Sequence, residues 1–206
     1  MRLKNYIKQK QTMKKILIIT LLLTIVISCK KKGVKLPKVP LNGKEKMENY
    51  SSIWFFNENG KLDLNQNNRI TSTHWLFNID KNLPISEVFP TVTKMIRKHN
   101  EKSPHKTEGT NNYFSYANAN TDKLNFYQID SITYKITKKV DLPKFKTLSD
   151  TILITIENPN FTTKETFKNK IVQVAFKGSL SFQNYMQVKA ALQKEKLNIL
   201  KTEYIF

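Results

Sequence analysis

Hydrophobic and polar residues alternate with a period of two in many short segments beyond residue 50. Such alternation is typical of strands that bury one face. Alternation of this kind, together with short, largely apolar runs, predicts strands over residues 52–56, 61–65, 72–79, 113–116, 123–129, 131–140, 151–157, 171–176 and 199–206. Asn59 and Gly60 lie between the first two strands, and an Asn-Gly pair tolerates the backbone conformation of a tight hairpin turn.

Two further segments carry apolar residues at the three- and four-residue spacing of an amphipathic helix. Val92, Met95 and Ile96 form the first stripe. Pro90 suits the first position of that helix, because its missing N–H costs nothing there. The second stripe lies within residues 181–196 and consists of Phe182, Tyr185, Met186 and Leu192. The order of elements predicts an α+β fold with mainly antiparallel strands and two amphipathic helices.

The two helical segments follow the same plan. Residues 72–98 and residues 171–196 each run from a strand through a short link into a helix, and Ile85-Val88-Phe89 has the same spacing as Phe182-Tyr185-Met186. Two interpretations stay open: an old duplication, or the likeness that any strand–helix unit has to another. Under the first, the folded part of the chain divides into similar subunits over 51–141 and 150–206.

The beginning of the chain has the layout of an export signal. Two lysines at 14 and 15 precede an apolar run over residues 16–27, and Ser28 and Cys29 close it. Residues 26–29, Val-Ile-Ser-Cys, resemble the bacterial lipobox, which implies cleavage before Cys29 and lipid attachment, including palmitate, to its thiol. A membrane-spanning helix needs about 20 apolar residues, and this run, which includes Thr20 and Thr24, is twelve residues long. Residues 1–28 are therefore predicted to be a signal peptide, with translation starting at Met1 or Met13.

The chain beyond the signal is strongly basic. Six of the 35 basic residues and none of the 16 acidic ones precede Cys29, so the cleaved chain carries a net charge of about +13. Its lysines are dispersed, Lys94, Lys98, Lys189 and Lys194 among them, which favours a solvated surface over a polyanion site. Residues 29–50 are lysine-rich and show no sustained period, and they are predicted to be a tether that precedes a domain over 51–206.

No catalytic motif accompanies these elements. The single cysteine is assigned to lipid, and no nucleophile elbow or phosphate-binding glycine loop occurs. His99 and His105 flank Glu101, but their spacing favours scattered surface histidines over a metal site. His74, inside an apolar strand, is expected to lie at a sheet edge or to be half-buried rather than to bind a metal. The sequence therefore predicts no enzyme activity, no cofactor, no metal and no nucleic-acid partner, although carboxylates that meet only in space stay open.

The stretch over residues 151–206 resembles the periplasmic domain of the ExbD/TolR family, which has a strand hairpin, a strand, a helix that begins near an aromatic residue, and a final strand. The resemblance implies an envelope module that binds peptidoglycan or a protein partner. Lys177 departs from the family, which favours an acidic residue there, and the family's membrane helix with its aspartate is missing. Proton-driven energy transduction is therefore not implied.

These observations predict a cell-envelope lipoprotein that acts as a non-enzymatic binding module for a protein partner or a cell-wall component such as peptidoglycan. Lys30 follows the lipidated cysteine, which favours the outer membrane, with the domain facing the periplasm or exposed at the surface. Two alternatives belong to other classes: a carboxylate-based enzyme that processes cell wall or glycan, and a structural or immunity-type lipoprotein.

Overall fold

The computed structural model describes residues 33–101, 109–145, 150–159 and 170–206. Val34–Phe206 forms one compact unit. The predicted signal peptide and Cys29 lie outside the described residues, as does His105, so the structure says nothing of them.

The fold is α+β, as predicted, and the described part contains ten strands and two helices. The strands are β1 (Lys38–Val39), β2 (Tyr50–Glu58), β3 (Lys61–Asn65), β4 (His74–Ile79), β5 (Asn112–Asn118), β6 (Leu124–Gln128), β7 (Thr133–Ile136), β8 (Thr151–Ile156), β9 (Ile171–Phe176) and β10 (Asn198–Ile205). The helices are α1 (Ile85–Asn100) and α2 (Phe182–Lys194), and Lys139–Asp141 forms one 3₁₀ turn.

The strands form two sheets. The first has the order β1-β5-β4-β2-β3, with β6 also paired to β5, and the second has the order β7-β10-β9-β8. Six of the eight strand pairings are parallel; the two exceptions are β2–β3 and β5–β6. The prediction of mainly antiparallel strands was therefore wrong. The strands that α1 and α2 connect are parallel neighbours, because a helical crossover returns the chain to the same end of the sheet.

Two halves of the unit repeat one arrangement of three parallel strands and a helix. The first half is β2, β4, α1 and β5; the second half is β8, β9, α2 and β10. The Asp80 N–H donates to the Phe55 carbonyl after β4, and the Lys177 N–H donates to the Ile156 carbonyl after β9. Asp80 and Lys177 therefore occupy equivalent places in the two halves. From β4 and β9 into the helices, equivalent residues are 97 positions apart in the sequence.

The link between β4 and α1 and the link between β9 and α2 form reciprocal hydrogen bonds with each other. The Ile85 N–H donates to the Leu180 carbonyl and the Phe182 N–H to the Leu83 carbonyl, both at 2.8 Å. These four residues correspond at the same offset of 97. The Ser86 N–H bonded to Gly178 and the Gln183 N–H bonded to Lys81 form a second reciprocal pair. The two strand–helix units are thus related by a local twofold symmetry.

The core lies between the helices and the sheets and is rich in aromatic side chains. Phe89 of α1 contacts Tyr134 and Tyr185, with ring centres 4.3 and 4.9 Å apart. Phe114 of β5 contacts Phe182 of α2 at 5.1 Å. Each buried side chain of this size contributes about 1.5–3 kcal/mol through its burial. The halves therefore share one hydrophobic core.

Helix α1 has a different start from the one that the sequence predicts. It begins at Ile85 and contains Pro90, which was expected at its first position. Ile85, Val88 and Phe89 are fully buried, so the packing of this first turn outweighs the hydrogen bond that Pro90 cannot donate.

The segment predicted to be a tether is largely packed. The Lys35 N–H donates to Asp80 at 3.1 Å, β1 pairs in parallel with the end of β5, and Val39 and Leu41 are fully buried. The buried apolar residues of this stretch, Pro37, Val39 and Leu41, are too few to give a visible period. Within 29–50, a free tether can therefore extend only to about Val34.

Candidate functional site

A polar cluster lies inside the second half, beneath a surface pocket. The Lys189 ammonium donates to Glu203 Oε1, and the Tyr185 hydroxyl donates to Glu203 Oε2 at 2.9 Å. The Tyr134 and Tyr185 hydroxyls are 3.3 Å apart. Lys189 and Glu203 have side chains that are 8% and 2% exposed, and among the ion pairs of the described residues this is the one buried on both sides.

Three elements position this cluster. Tyr185 and Lys189 are four residues apart on α2, so both side chains lie on one face of the helix. The helix starts at a fixed point because the Ser181 side chain accepts from the Asn184 N–H at its N-terminus. Glu203 on β10 is in register with Tyr134 on β7. The helix and the two strands therefore converge on the Glu203 carboxylate.

The cluster shifts the pKa of its members. Burial alone lowers the pKa of the Lys189 ammonium, but the charge and hydrogen bond of Glu203, together with Tyr127, outweigh it and raise this pKa above its ordinary value. Burial, followed by the negative charge of Glu203, raises the pKa of the Tyr134 and Tyr185 hydroxyls well above the ordinary value. All three groups are held in their protonated forms.

The first half shows that the fold does not require this cluster. Tyr185 and Lys189 correspond to Val88 and Val92, which are fully buried. Phe77 pairs with Phe114 on β5, and the corresponding Val174 pairs with Glu203 on β10. Lys189 therefore occupies the helix position of Val92, and Glu203 occupies the strand position of Phe114. Buried ion pairs of this kind are often no more stabilising than apolar residues of similar volume.

A pocket of about 340 Å³ opens over the cluster, between α2, β10 and the chain just after β6. Lys189 and Glu203 lie at its inner end, and the Lys189 ammonium is 5.7 Å from the centre of the Tyr127 ring. Its other lining residues are Ser131, Ile132, Leu192, Gln193, Lys196, Leu197, Ile199, Leu200 and Lys201. Lys196 and Lys201 are exposed at the wall, while Glu203 is the one carboxylate among the lining residues.

The arrangement suits binding of an anionic group more than acid–base chemistry. Both Glu203 oxygens already accept hydrogen bonds, from Lys189 and Tyr185, so this carboxylate is neutralised and occupied. Lys196 and Lys201 then give the pocket a net positive charge. Leu192, Ile199 and the other apolar lining residues suit the nonpolar part of the same ligand.

Sequence reasoning misses this cluster because the even dispersal of the lysines predicts a surface position for Lys189. The structure buries it. A signal was present: Lys189 lies in the apolar stripe of α2, and Glu203 occupies the same alternating face of β10 as buried Ile205. Cys29, the one predicted site residue, lies outside the described residues.

The prediction of a surface position is wrong for His99. His99 is fully buried, although it was expected at the surface; its ring stacks on Trp75 at 4.1 Å, and its Nδ1 lies 2.9 Å from Asn112 Oδ1. His74 is half-buried, one of the two placements predicted for it, and accepts from the Asn111 N–H; β4 lies between β5 and β2, so the other placement, a sheet edge, is wrong. In the described ranges, no three histidine, cysteine or acidic side chains are arranged to hold a metal ion.

Comparison with known protein families, with curated proteins and with solved structures finds no match for this chain. The resemblances to lipobox-type lipoproteins and to the ExbD/TolR periplasmic domain therefore stay predictions. Within the described part of the chain, no helix is both long and apolar enough to cross a membrane.

Proposed function

We propose that this protein is a cell-envelope lipoprotein whose folded domain binds, without catalysis, a carboxylate-bearing peptide of the cell wall or of a protein partner. One observation carries the binding part of the proposal. The Lys189–Glu203 pair replaces an apolar pair of the first half, and a pocket opens over it. A polar substitution that the fold does not need, at the floor of a pocket, favours a role in ligand binding.

The charge of the pocket supports an acidic ligand. Lys196 and Lys201 contribute two positive charges at the wall, and the Lys189–Glu203 pair at the floor contributes no net charge. A ligand carboxylate near the two wall lysines would form charge-assisted hydrogen bonds. The apolar lining favours a peptide side chain over a bare ion, and the volume of about 340 Å³ admits one or two residues.

The envelope part of the proposal rests on the sequence around Cys29. Because the chain packs from Lys35 onward, six residue steps separate the lipid-bearing cysteine from the domain. A fully extended chain of that length spans about 20 Å. The proposed lipoprotein thus holds the Lys35 end of its domain within about 20 Å of the membrane surface.

The experiment is a titration of the full chain, purified in detergent, with short peptides that differ only in a free or an amidated terminal carboxyl group. The free-acid peptide should bind, and K196Q/K201Q should weaken it about tenfold or more, because two charge-assisted contacts are lost. K177Q/K194Q removes the same charge from exposed lysines outside the pocket and should leave binding unchanged.

Two results would contradict the proposal. Equal affinity for the free-acid and the amidated peptide would show that the terminal carboxylate does not contribute to binding. Turnover of a cell-wall substrate, abolished by substituting a single acidic residue, would make the protein an enzyme.

A further inference from the structure

A second pocket, of about 500 Å³, lies on the other half of the domain, between α1 and the end of β3. Its lining residues are Leu64, Gln66, Arg69, Pro90, Thr91, Lys94, Met95 and Lys98. The set contains three basic side chains and no acidic one. We name it the Arg69 groove.

Arg69 is held in place by the structure around it. Its Nε donates to the Gln66 carbonyl at 3.2 Å, and its guanidinium carbon lies 5.5 Å from the centre of the Trp75 ring. Trp75 is itself fixed, because its Nε1 donates to the Ile70 carbonyl at 3.0 Å and its ring stacks on buried His99. The guanidinium is therefore presented to the groove in a restricted orientation, which lowers the entropy cost of binding a ligand.

The residue type at this position is also informative. The chain has 35 basic residues, and only Arg2, Arg69 and Arg97 are arginines. A general preference for lysine accounts for the dispersed basic surface but not for an arginine stacked on a buried tryptophan. Arginine presents several N–H donors in a planar fork, which matches the oxygens of phosphate better than a lysine ammonium does.

In the described part of the chain, no ion pair neutralises the charge of the groove. Among the described residues, no carboxylate lies within ion-pair distance of Arg69, Lys94 or Lys98. Lys94 and Lys98 are four residues apart on α1, so their ammonium groups lie on the same face of the helix. Leu64 and Met95 add an apolar floor between the three cations.

We propose that the Arg69 groove binds a phosphate group carried by a molecule with an apolar portion. The guanidinium of Arg69 donates hydrogen bonds to the phosphate oxygens, and Lys94 and Lys98 supply further positive charge. The apolar portion of the ligand lies over Leu64, Pro90 and Met95. This site is independent of the pocket over Lys189 and Glu203, which lies on the second half and is lined by different residues.

The test titrates the full chain in detergent with phenyl phosphate, inorganic phosphate and benzoate. Binding is followed by tryptophan fluorescence, because Trp75 contacts Arg69 and the only other tryptophan is Trp54. Phenyl phosphate should bind most tightly, inorganic phosphate more weakly because it lacks the ring, and benzoate weakest. Arg69→Gln should weaken phenyl phosphate about tenfold or more, and Arg69→Lys should restore only part of that loss.

Arg97→Gln is the matched control, because it removes an exposed arginine charge from α1 outside the groove. Equal weakening by Arg69→Gln and Arg97→Gln, or the absence of saturable binding, would overturn the proposal. Should Arg69→Gln lower the stability of the domain, K94Q/K98Q removes two exposed charges instead and should still weaken binding about tenfold.

A second arm separates the two sources of phosphate. Sedimentation with phosphatidylglycerol vesicles, compared with phosphatidylcholine vesicles, reports on headgroups held in a bilayer. Loss of vesicle binding in Arg69→Gln but not in Arg97→Gln assigns the groove to a membrane lipid. Binding of phenyl phosphate without any Arg69-dependent vesicle binding assigns it to a soluble phosphate ester.

Discussion

Lys189 and Glu203 form an ion pair in the interior of the second half, at positions where the first half has Val92 and Phe114. Equivalent positions of the fold are therefore filled by a charged pair in one half and by apolar residues in the other. Such an internal comparison is informative, because it separates what the fold needs from what this one site has acquired.

The first prediction concerns breaking the pair. Glu203→Gln leaves the Lys189 ammonium buried without its carboxylate, and Lys189→Met leaves the Glu203 carboxylate buried without its ammonium. Each substitution should lower the free energy of unfolding by about 3–5 kcal/mol. Urea unfolding followed by tryptophan fluorescence measures this loss.

Replacing both partners should be far less costly. K189V/E203F installs the residues of the first half, and Tyr185 keeps its hydroxyl contact with Tyr134. We expect this variant to be more stable than either single variant, because it leaves no buried charge without a partner. A double variant as unstable as the sum of the two single ones would show that the halves are not equivalent at these positions.

The second prediction is a loss of stability at alkaline pH. The folded-state pKa values of Lys189, Tyr134 and Tyr185 are raised above their ordinary values. Their contribution is therefore fully present below the unfolded-state pKa values, about 10 to 10.4, and is lost as the pH rises through the folded-state values. Each group should steepen the decline by up to about 1.4 kcal/mol per pH unit.

Equilibrium unfolding between pH 8 and 11.5, with tyrosinate absorbance recorded in parallel, tests this. Ionisation of the buried tyrosines should coincide with unfolding. Tyr134→Phe should make the decline shallower, whereas Tyr50→Phe, at an exposed tyrosine, should not change it. Stability independent of pH across this range would contradict the prediction.

Sequence patterns were sufficient for the elements but not for their arrangement. The strand over residues 171–176 and the hairpin strand over 61–65 have the predicted boundaries, because a short apolar run and an Asn-Gly turn are local signals. Parallel pairing is decided by distant partners, such as β2 beside β4, and alternation does not distinguish parallel from antiparallel neighbours. The same limit hid β1, whose two residues pair with β5 almost 80 positions later.

The candidate site was beyond sequence reasoning for a similar reason. A lysine is ordinarily exposed, and Lys189 becomes buried only because Glu203, fourteen residues away, neutralises it. A lysine within an apolar helical stripe, together with a glutamate on the apolar face of the next strand, is a pattern that could have indicated the pair. The twofold symmetry could not be predicted in the same way, because it depends on hydrogen bonds between the two distant links.

The third prediction tests the packing of residues 38–44 against the domain. A Cβ added at Gly43 would lie 2.6 Å from both the Phe126 carbonyl oxygen and the Tyr116 hydroxyl. Gly43→Ala should therefore push this segment away from β6 and lower the free energy of unfolding by about 1–3 kcal/mol. Gly33→Ala, where nothing lies within 4 Å, should have no effect in the same urea titration. Equal stability of the two variants would show that residues 38–44 are not packed against the domain and belong to the tether.

The fourth prediction concerns Cys29 and the export signal. If the thiol is acylated before cleavage, Cys29→Ser should accumulate as an unprocessed precursor that incorporates no radiolabelled palmitate, while the parent chain is shortened and labelled. Ser28→Ala keeps a small residue before the cleavage point and should be processed normally. Two acyl chains bind a bilayer essentially permanently, at about 0.8 kcal/mol per buried methylene, so the parent should resist extraction by high salt and Cys29→Ser should not carry that lipid. Normal processing of Cys29→Ser would remove the anchor, but it would leave the two binding pockets untouched, because their lining residues all come from the folded unit.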